Sequence, residues 1–202
     1  EALLPSGLIS SRTILTLELW FQTNTGGVLF GCQSAAYPTT PSNYAPVLYV
    51  GTDGKLRGEF YNGVAASPIT TSGTVNNGAW HHVALVGNVN VQSMYLDGVV
   101  VNPTPLSGTI NHLNMTYNQI GMGRSGDVWP ASPTQWWSFG GQIDEVRLWN
   151  VVRTQQQIQA DRSRILSGYE TGLVGYWRLN EGSGQVVHDS TPSANHGQLG
   201  IG

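Results

Sequence analysis

The chain carries 12 acidic residues. Hydrolysis of a glycosidic bond needs two carboxyl groups about 5–10 Å apart across the scissile bond. On one strand those acids must be two or four positions apart, because successive side chains point to opposite faces. Asp144 and Glu145 are adjacent, so alternation sends them to opposite faces. Glu18 has no acidic neighbour at two or four residues, and Glu59 stands alone in Gly58-Glu59-Phe60. A serine nucleophile has no Gly-x-Ser-x-Gly turn ahead of a helix to present it. His81-His82 invite a metal, but strand neighbours cannot ligate one ion together. One imidazole is expected in the core and the other on the open face. These patterns point away from an enzyme.

Binding chemistry has better support. Residues 33–46 hold Tyr37 and Tyr44 among three prolines, and residues 124–139 hold Trp129, Trp136 and Trp137 with Pro130 and Pro133. Both segments are longer than a hairpin needs, and loops of that length usually have a use. Exposed aromatic rings are flat platforms for the C–H faces of sugars. Trp129, flanked by Asp127 and Pro130 rather than by apolar core residues, is the first choice of platform. Asn43 and Asp127 supply the directional hydrogen bonds that stacking lacks. The two loops are expected to lie together, and the other candidate surface is the concave sheet around Trp20 and Tyr61. Trp20, Trp80, Trp149 and Trp177 fall in strand patterns, where sheet packing is the expected role.

Composition narrows the class. Of the 202 residues only 10% are charged, against about 25% in ordinary soluble domains, which favours a secreted or cell-surface β-protein. A net charge of −3 provides no basic footprint for nucleic acid. No run of about 18 apolar residues is present to insert in a membrane. Cys32 is the lone cysteine and lies in the apolar run Val28-Leu29-Phe30-Gly31-Cys32, the setting of a buried, inert thiol.

The elements that position these groups are mostly strands. Residues 13–22 alternate, with Leu15, Leu17, Leu19 and Phe21 on one face and Thr16, Glu18, Trp20 and Gln22 on the other, the pattern of a half-buried antiparallel strand. Further strands are predicted over 28–31, 47–51, 56–61, 80–86, 93–96, 99–101, 119–123, 142–149, 173–178 and 185–187. Asp53-Gly54 and Asp97-Gly98 between such runs are hairpin signals. One helix is predicted over 154–166, started by Thr154 with Gln157 three residues on and faced by Ile158, Ile165 and Leu166. Many short strands punctuated by glycine predict an all-β, two-sheet antiparallel sandwich.

Several segments, in order, carry a resemblance. They are Leu15-Thr16-Leu17-Glu18-Leu19-Trp20-Phe21, Trp80-His81-His82-Val83-Ala84, Met94-Tyr95-Leu96-Asp97-Gly98, Ile143-Asp144-Glu145-Val146-Arg147-Leu148-Trp149, the Thr154 helix, and Tyr176-Trp177-Arg178-Leu179-Asn180-Glu181-Gly182-Ser183-Gly184. Together they resemble bacterial laminin-G-like domains of the concanavalin A-like lectin/glucanase, pentraxin-like jelly-roll superfamily. The resemblance covers nearly all of residues 1–202 and implies one jelly-roll domain, here expected to be part of a larger protein. Relatives have an Asn-Gly-rich terminal turn, whereas this chain has the proline-stiffened Thr191-Pro192-Ser193-Ala194-Asn195-His196-Gly197.

The family resemblance implies a non-catalytic, secreted or cell-surface module that recognises a glycan or glycoconjugate, or a neighbouring domain of the parent protein. The alternative it leaves is a protein-interaction or spacer domain of a large surface protein or toxin, without sugar affinity. It also implies a structural calcium ion, with Asp144 in the place of a glycanase calcium ligand and Asp189 and Asn195 of the terminal turn as companions. Hard oxygen ligands of this kind suit calcium.

Overall fold

The computed structural model describes residues 1–63 and 66–200. In chain order the first half contributes β1 (Ala2–Leu4), β2 (Ile14–Thr23), β3 (Gly27–Gln33), β4 (Tyr44–Val50), β5 (Lys55–Gly58), β6 (Ile69–Thr74), β7 (Trp80–Asn88), β8 (Val91–Leu96) and β9 (Val99–Val100). The second half contributes β10 (Leu106–Ser107), β11 (Tyr117–Ile120), β12 (Met122–Arg124), β13 (Trp136–Ser138), β14 (Gly141–Trp149), α1 (Gln155–Asp161), β15 (Leu173–Trp177), β16 (Val186–Val187) and β17 (Gly197–Leu199).

Two antiparallel sheets face each other. One runs β16-β17-β1-β11-β3-β4-β5-β6, and the other β10-β8-β7-β2-β14-β15 with β9 beside β8. The alternation of β2 sets the second sheet. Leu15, Leu17, Leu19 and Phe21 are fully buried in the core between the sheets, with Val83, Leu85, Met94, Val146 and Leu148 from neighbouring strands. The Asp97-Gly98 turn joins β8 to β9 with Leu96 opposite Val99 and both turn residues at positive φ (52° and 80°), the conformation that a two-residue hairpin of this hand demands.

The polar face of β2 is not open to solvent. Thr16 and Glu18 are fully buried, because α1 lies across this face with Ile158 packed on Ala84 and Val86. The helix starts as its cap predicts. The Gln157 amide donates to Thr154 Oγ1 at 3.2 Å, and the Thr154 amide donates to Gln157 Oε1 at 2.9 Å. It stops at Asp161, five residues short of the predicted end. The carbonyls beyond Ile158 have other partners: Arg147 donates to those of Asp161 and Arg164, and Trp20 Nε1 donates to that of Arg162. Ile165 is therefore 68% exposed, and Leu166 packs with Trp149 instead of extending the helical stripe.

The eight-stranded sheet is also covered on its outer side at β3 and β4. Every residue of β3 is buried. The expected strand 119–123 breaks at Gly121 (φ 75°), and β12 leaves the sheet there to pair with β13 as a ribbon lying over β3. The approach needs glycine on both sides, since a Cβ on Gly31 would stand 3.0 Å from the Cα of Gly123. Cys32 sits beneath this layer, and burial pushes its thiol up to about 12, which keeps it protonated and unreactive.

Candidate functional site

The two proline-bearing loops meet on the outer side of the eight-stranded sheet. The Tyr37 ring stands edge-on to Trp136 with centroids 4.9 Å apart. The Arg124 guanidinium lies 5.9 Å from the centre of the Tyr44 ring. Where the first loop enters β4 and the second loop turns, a groove of about 340 Å³ opens. Ser42, Asn43, Tyr44, Tyr61, Ala66, Leu113, Met115, Val128 and Trp129 line it. None of these described residues carries a charge at neutral pH, so the groove suits an uncharged ligand. An amide–amide bond, Asn43 Nδ2 to Asn114 Oδ1 at 2.8 Å, ties its rim across from the β11 side.

Three of the seven residues expected to bind ligand, Asn43, Tyr44 and Trp129, fall in this groove. Trp129 is not an exposed platform: it is 2% exposed and belongs to the core cluster. The loop folds back on the outer face of β4, where Trp129 and Trp137 both pack on Tyr49 with centroids 6.5 and 6.3 Å away. The Tyr49 hydroxyl donates to the carbonyl of Pro130 at 2.9 Å and fixes the turn. Trp129 thus forms the floor of the groove. Trp136 and Tyr37 pack on each other outside it, and Asp127 accepts a hydrogen bond from the Thr134 hydroxyl at the loop base. Leu113, Met115 and Val128 had no sequence signal, since each enters from a segment with no periodicity. Trp20 and Tyr61 do not share a surface: Tyr61 lines this groove and Trp20 lines another.

That second groove, about 420 Å³, lies on the helix-covered face. Asp144 and Glu145 both line it. The β14–β2 register slips between Asp144 and Arg147, and Glu145 has φ 53°. This β-bulge cancels the alternation that was expected to send the two acids to opposite faces. Glu145 is held by three donors: the Tyr176 hydroxyl, Arg147 Nη2 at 2.9 Å and Arg178 Nε at 3.3 Å. Burial lifts the Asp144 carboxyl above the ordinary carboxylate range, although its Oδ1 accepts from the Glu145 amide at 2.9 Å.

The three residues expected to hold calcium are not one ligand set. Asp144 lines the helix-side groove, and Asp189 and Asn195 do not. Asp189 Oδ1 accepts from the amides of Tyr176 and Thr191, and Oδ2 accepts from the Thr191 hydroxyl and the Asn195 amide, each at 2.9 Å. Both its oxygens are committed to closing the terminal turn. The Asn195 side chain donates to the carbonyl of Val174 at 3.0 Å. Among the described residues no three His, Cys, Asp or Glu side chains group as ligands of an ion. Asp144, Asp189 and Asn195 therefore do not converge as the ligands of one calcium ion. The histidines divide as strand geometry requires: His82 is buried under α1 beside Glu18, at 3.4 Å, and His81 Nδ1 meets Asp97 at 2.8 Å on the other face.

A family model described as the concanavalin A-like lectin/glucanases superfamily, laminin-G type, matches residues 1–159. The chain belongs to this laminin-G-like family. No curated protein sequence matches it. Among solved structures, the domain superposes on a protein from Bacteroides ovatus, named as a carbohydrate-binding candidate, with a TM-score of 0.66 and 17% identity, covering 100% of this chain and 57% of that one. It is also similar to the CBM40 module of a Ruminococcus gnavus IT-sialidase (TM-score 0.51, 11% identity, 75% of this chain and 84% of that one), which has been solved with α2,3- and α2,6-sialyllactose. A Trypanosoma rangeli sialidase variant matches over 72% of this laminin-G-like chain and 22% of its own, with a TM-score of 0.50 and 18% identity. The chain spans little more than half the length of the Bacteroides ovatus protein. At these identities the likeness is one of fold.

Proposed function

We propose that the protein is a non-catalytic, extracellular binding module that takes an uncharged stretch of a glycan in the Tyr44–Tyr61 groove. The observation that carries this reading is the groove's lining: aromatic and apolar side chains with amide and hydroxyl groups between them, and no charge. At about 340 Å³ it is near the lower end of ligand sites, where one or two sugar rings fit. Tyr61 and Tyr44, both half-buried, present ring and hydroxyl together, as recognition of a C–H face beside hydroxyls requires. The sparse surface charge supports a secreted or cell-surface setting. The likeness to a carbohydrate-binding module is in keeping with the reading and does not name the sugar.

A non-catalytic role is supported by the state of the neighbouring acids Asp144 and Glu145. Three donors hold Glu145 away from any reacting atom, and releasing it would strip Tyr176, Arg147 and Arg178 of their shared acceptor. A second reading, a protein-interaction domain, is favoured by the apolar rim, where Val128 is 60% exposed and Leu113 is also exposed. A glycan array followed by calorimetry separates the two. The sugar reading expects a neutral saccharide to bind and Tyr61→Ala to weaken it by about tenfold, the equivalent of about 1.4 kcal/mol, with the melting midpoint kept. If no neutral saccharide binds, the reading fails and the rim becomes the surface to test against protein partners.

A further inference from the structure

We infer that the helix-side groove is a second ligand site, for an anionic saccharide: an oxyanion held by guanidinium groups while a sugar ring lies on Trp80. The inference shares only the ligand class with the proposed function. The two grooves have no lining residue in common, so each can fail alone.

Charge is the first ground. The chain has nine Lys and Arg residues and a net charge of −3, yet Arg147, Arg162, Arg164 and Arg178 all line this one groove. They face Asp144 and Glu145 in the lining, and Asp161 pairs with Arg164 beside it, so four guanidiniums stand against three carboxylates, a local positive excess on a negative molecule. Such a concentration draws in anions and aligns with planar oxyanions through the guanidinium fork.

The state of each group is the second ground. Glu145 is saturated by its three donors and competes little for a ligand. Arg147 is buried and committed, with Nη1 on the Asp161 carbonyl and Nη2 on Glu145 and the Arg164 carbonyl, so it frames the groove from beneath. Arg178, a third exposed at its side chain, spends its Nε on Glu145 at 3.3 Å. Arg164 reaches outward with its side chain 69% exposed, spending one nitrogen on Asp161 Oδ1 at 3.1 Å.

The third ground is the platform that makes the ligand a saccharide rather than a bare anion. Trp80, at the start of β7, is 41% exposed. Trp20, which also lines the groove, is immobilised by its bond to the Arg162 carbonyl at 2.7 Å and by edge contact with His82 at 5.3 Å. Asp144 adds an acceptor for a ring hydroxyl. The bulge at Glu145 is what puts this acceptor and the arginines on one surface.

Calorimetry on the intact chain tests the site with four probes: a galacturonic acid trimer, a sulfated galactose oligosaccharide, a galactose trimer and sodium sulfate. One or both anionic oligosaccharides are expected to bind, weakening as salt rises, with the uronate and sulfate arms identifying which oxyanion is preferred. Arg164→Ala and Trp80→Ala should each weaken that binding by at least about fivefold, with unchanged melting midpoints, and Tyr61→Ala should leave it unchanged. The inference is overturned if neither anionic probe binds, or if the Arg164→Ala/Trp80→Ala double variant binds as well as wild type. It is equally overturned if Tyr61→Ala abolishes the binding, or if sodium sulfate or the galactose trimer binds as tightly as the anionic oligosaccharides.

Discussion

Trp129 stands perpendicular to Tyr49, with ring centroids 6.5 Å apart and an interplanar angle of 89°. An indole in a polar, proline-bearing loop has become part of the core, and the loop is shaped around it. The Trp129 amide donates to the Gly126 carbonyl at 2.8 Å, and the Ser132 hydroxyl returns to the Trp129 carbonyl at 2.9 Å. Trp129→Ala should cost about 3–5 kcal/mol in urea unfolding, the usual cost of emptying a large aromatic site. Val128→Ala, one residue away but exposed, should stay within about 0.5 kcal/mol. Equal midpoints for the two variants would show that the loop does not need its indole.

The capping box of α1 predicts a smaller, local effect. Thr154→Ala should cost about 1 kcal/mol. Because Thr154 satisfies the Gln157 amide, exchange of that amide with solvent should speed up in the variant while amides of β2 and β14 keep their protection. Uniform loss of protection across the sheet would mean that the helix and sheet unfold as one unit.

Two buried titratable groups act on stability in opposite directions. Burial pushes the Glu59 carboxyl up from 4.5 to about 7 and pushes His112 down from 6.5 to about 4. Between pH 4.5 and 7 the folded state therefore holds a Glu59 proton that the unfolded chain has released, and stability falls as pH rises. Between pH 4 and 6.5 the unfolded chain holds a His112 proton that the folded state lacks, and stability falls as pH drops. Each contribution is on the order of 1–3 kcal/mol. Glu59→Gln should remove the loss above pH 6.5 and raise stability at pH 8. His112→Gln should flatten the acid side. Urea titrations from pH 4 to 8 check both, and a wild-type slope retained in Glu59→Gln would exclude that carboxyl as the cause.

Much of the sandwich was legible in the sequence, because its central strands obey simple periodicity. β2 alternates, β7 continues the pattern beside it, and Asp97-Gly98 and Thr154 mark a turn and a helix start by their own chemistry. The short strands β1, β6, β10, β13 and β17 were not legible. Ile69–Thr74 is mostly polar, and the others span two or three residues, too few to show a period. The candidate groove was half legible: two long aromatic loops identified the region, and Asn43 and Tyr44 fall within it. The fate of Trp129 was written elsewhere, in β3 and β4. Their apolar runs do not alternate, the mark of strands covered on both faces, so something had to lie over them. The bulge at Glu145 left no mark, because the positive φ there is taken by a glutamate instead of a glycine.

The buried charges under α1 give the last prediction. Glu18 is fully buried with Arg153 Nε at 3.7 Å and His82 Nε2 at 3.4 Å, and neither Glu18 oxygen makes a well-formed hydrogen bond. Arg153 is itself clamped, its guanidinium carbon 3.9 Å from the centre of the Trp149 ring and Nη2 on Asp161. Poor geometry means that the attraction only partly repays the cost of taking both charges out of water. Removing one partner strands the other: Arg153→Met, which keeps the flat apolar contact with Trp149, should cost about 3 kcal/mol or more. Glu18→Gln alone should cost less, since Arg153 keeps Asp161. The double variant should be more stable than the sum of the two single effects by about 1 kcal/mol or more, the coupling expected of groups in contact. Strict additivity in urea unfolding would show that Glu18 and Arg153 are neighbours without being partners.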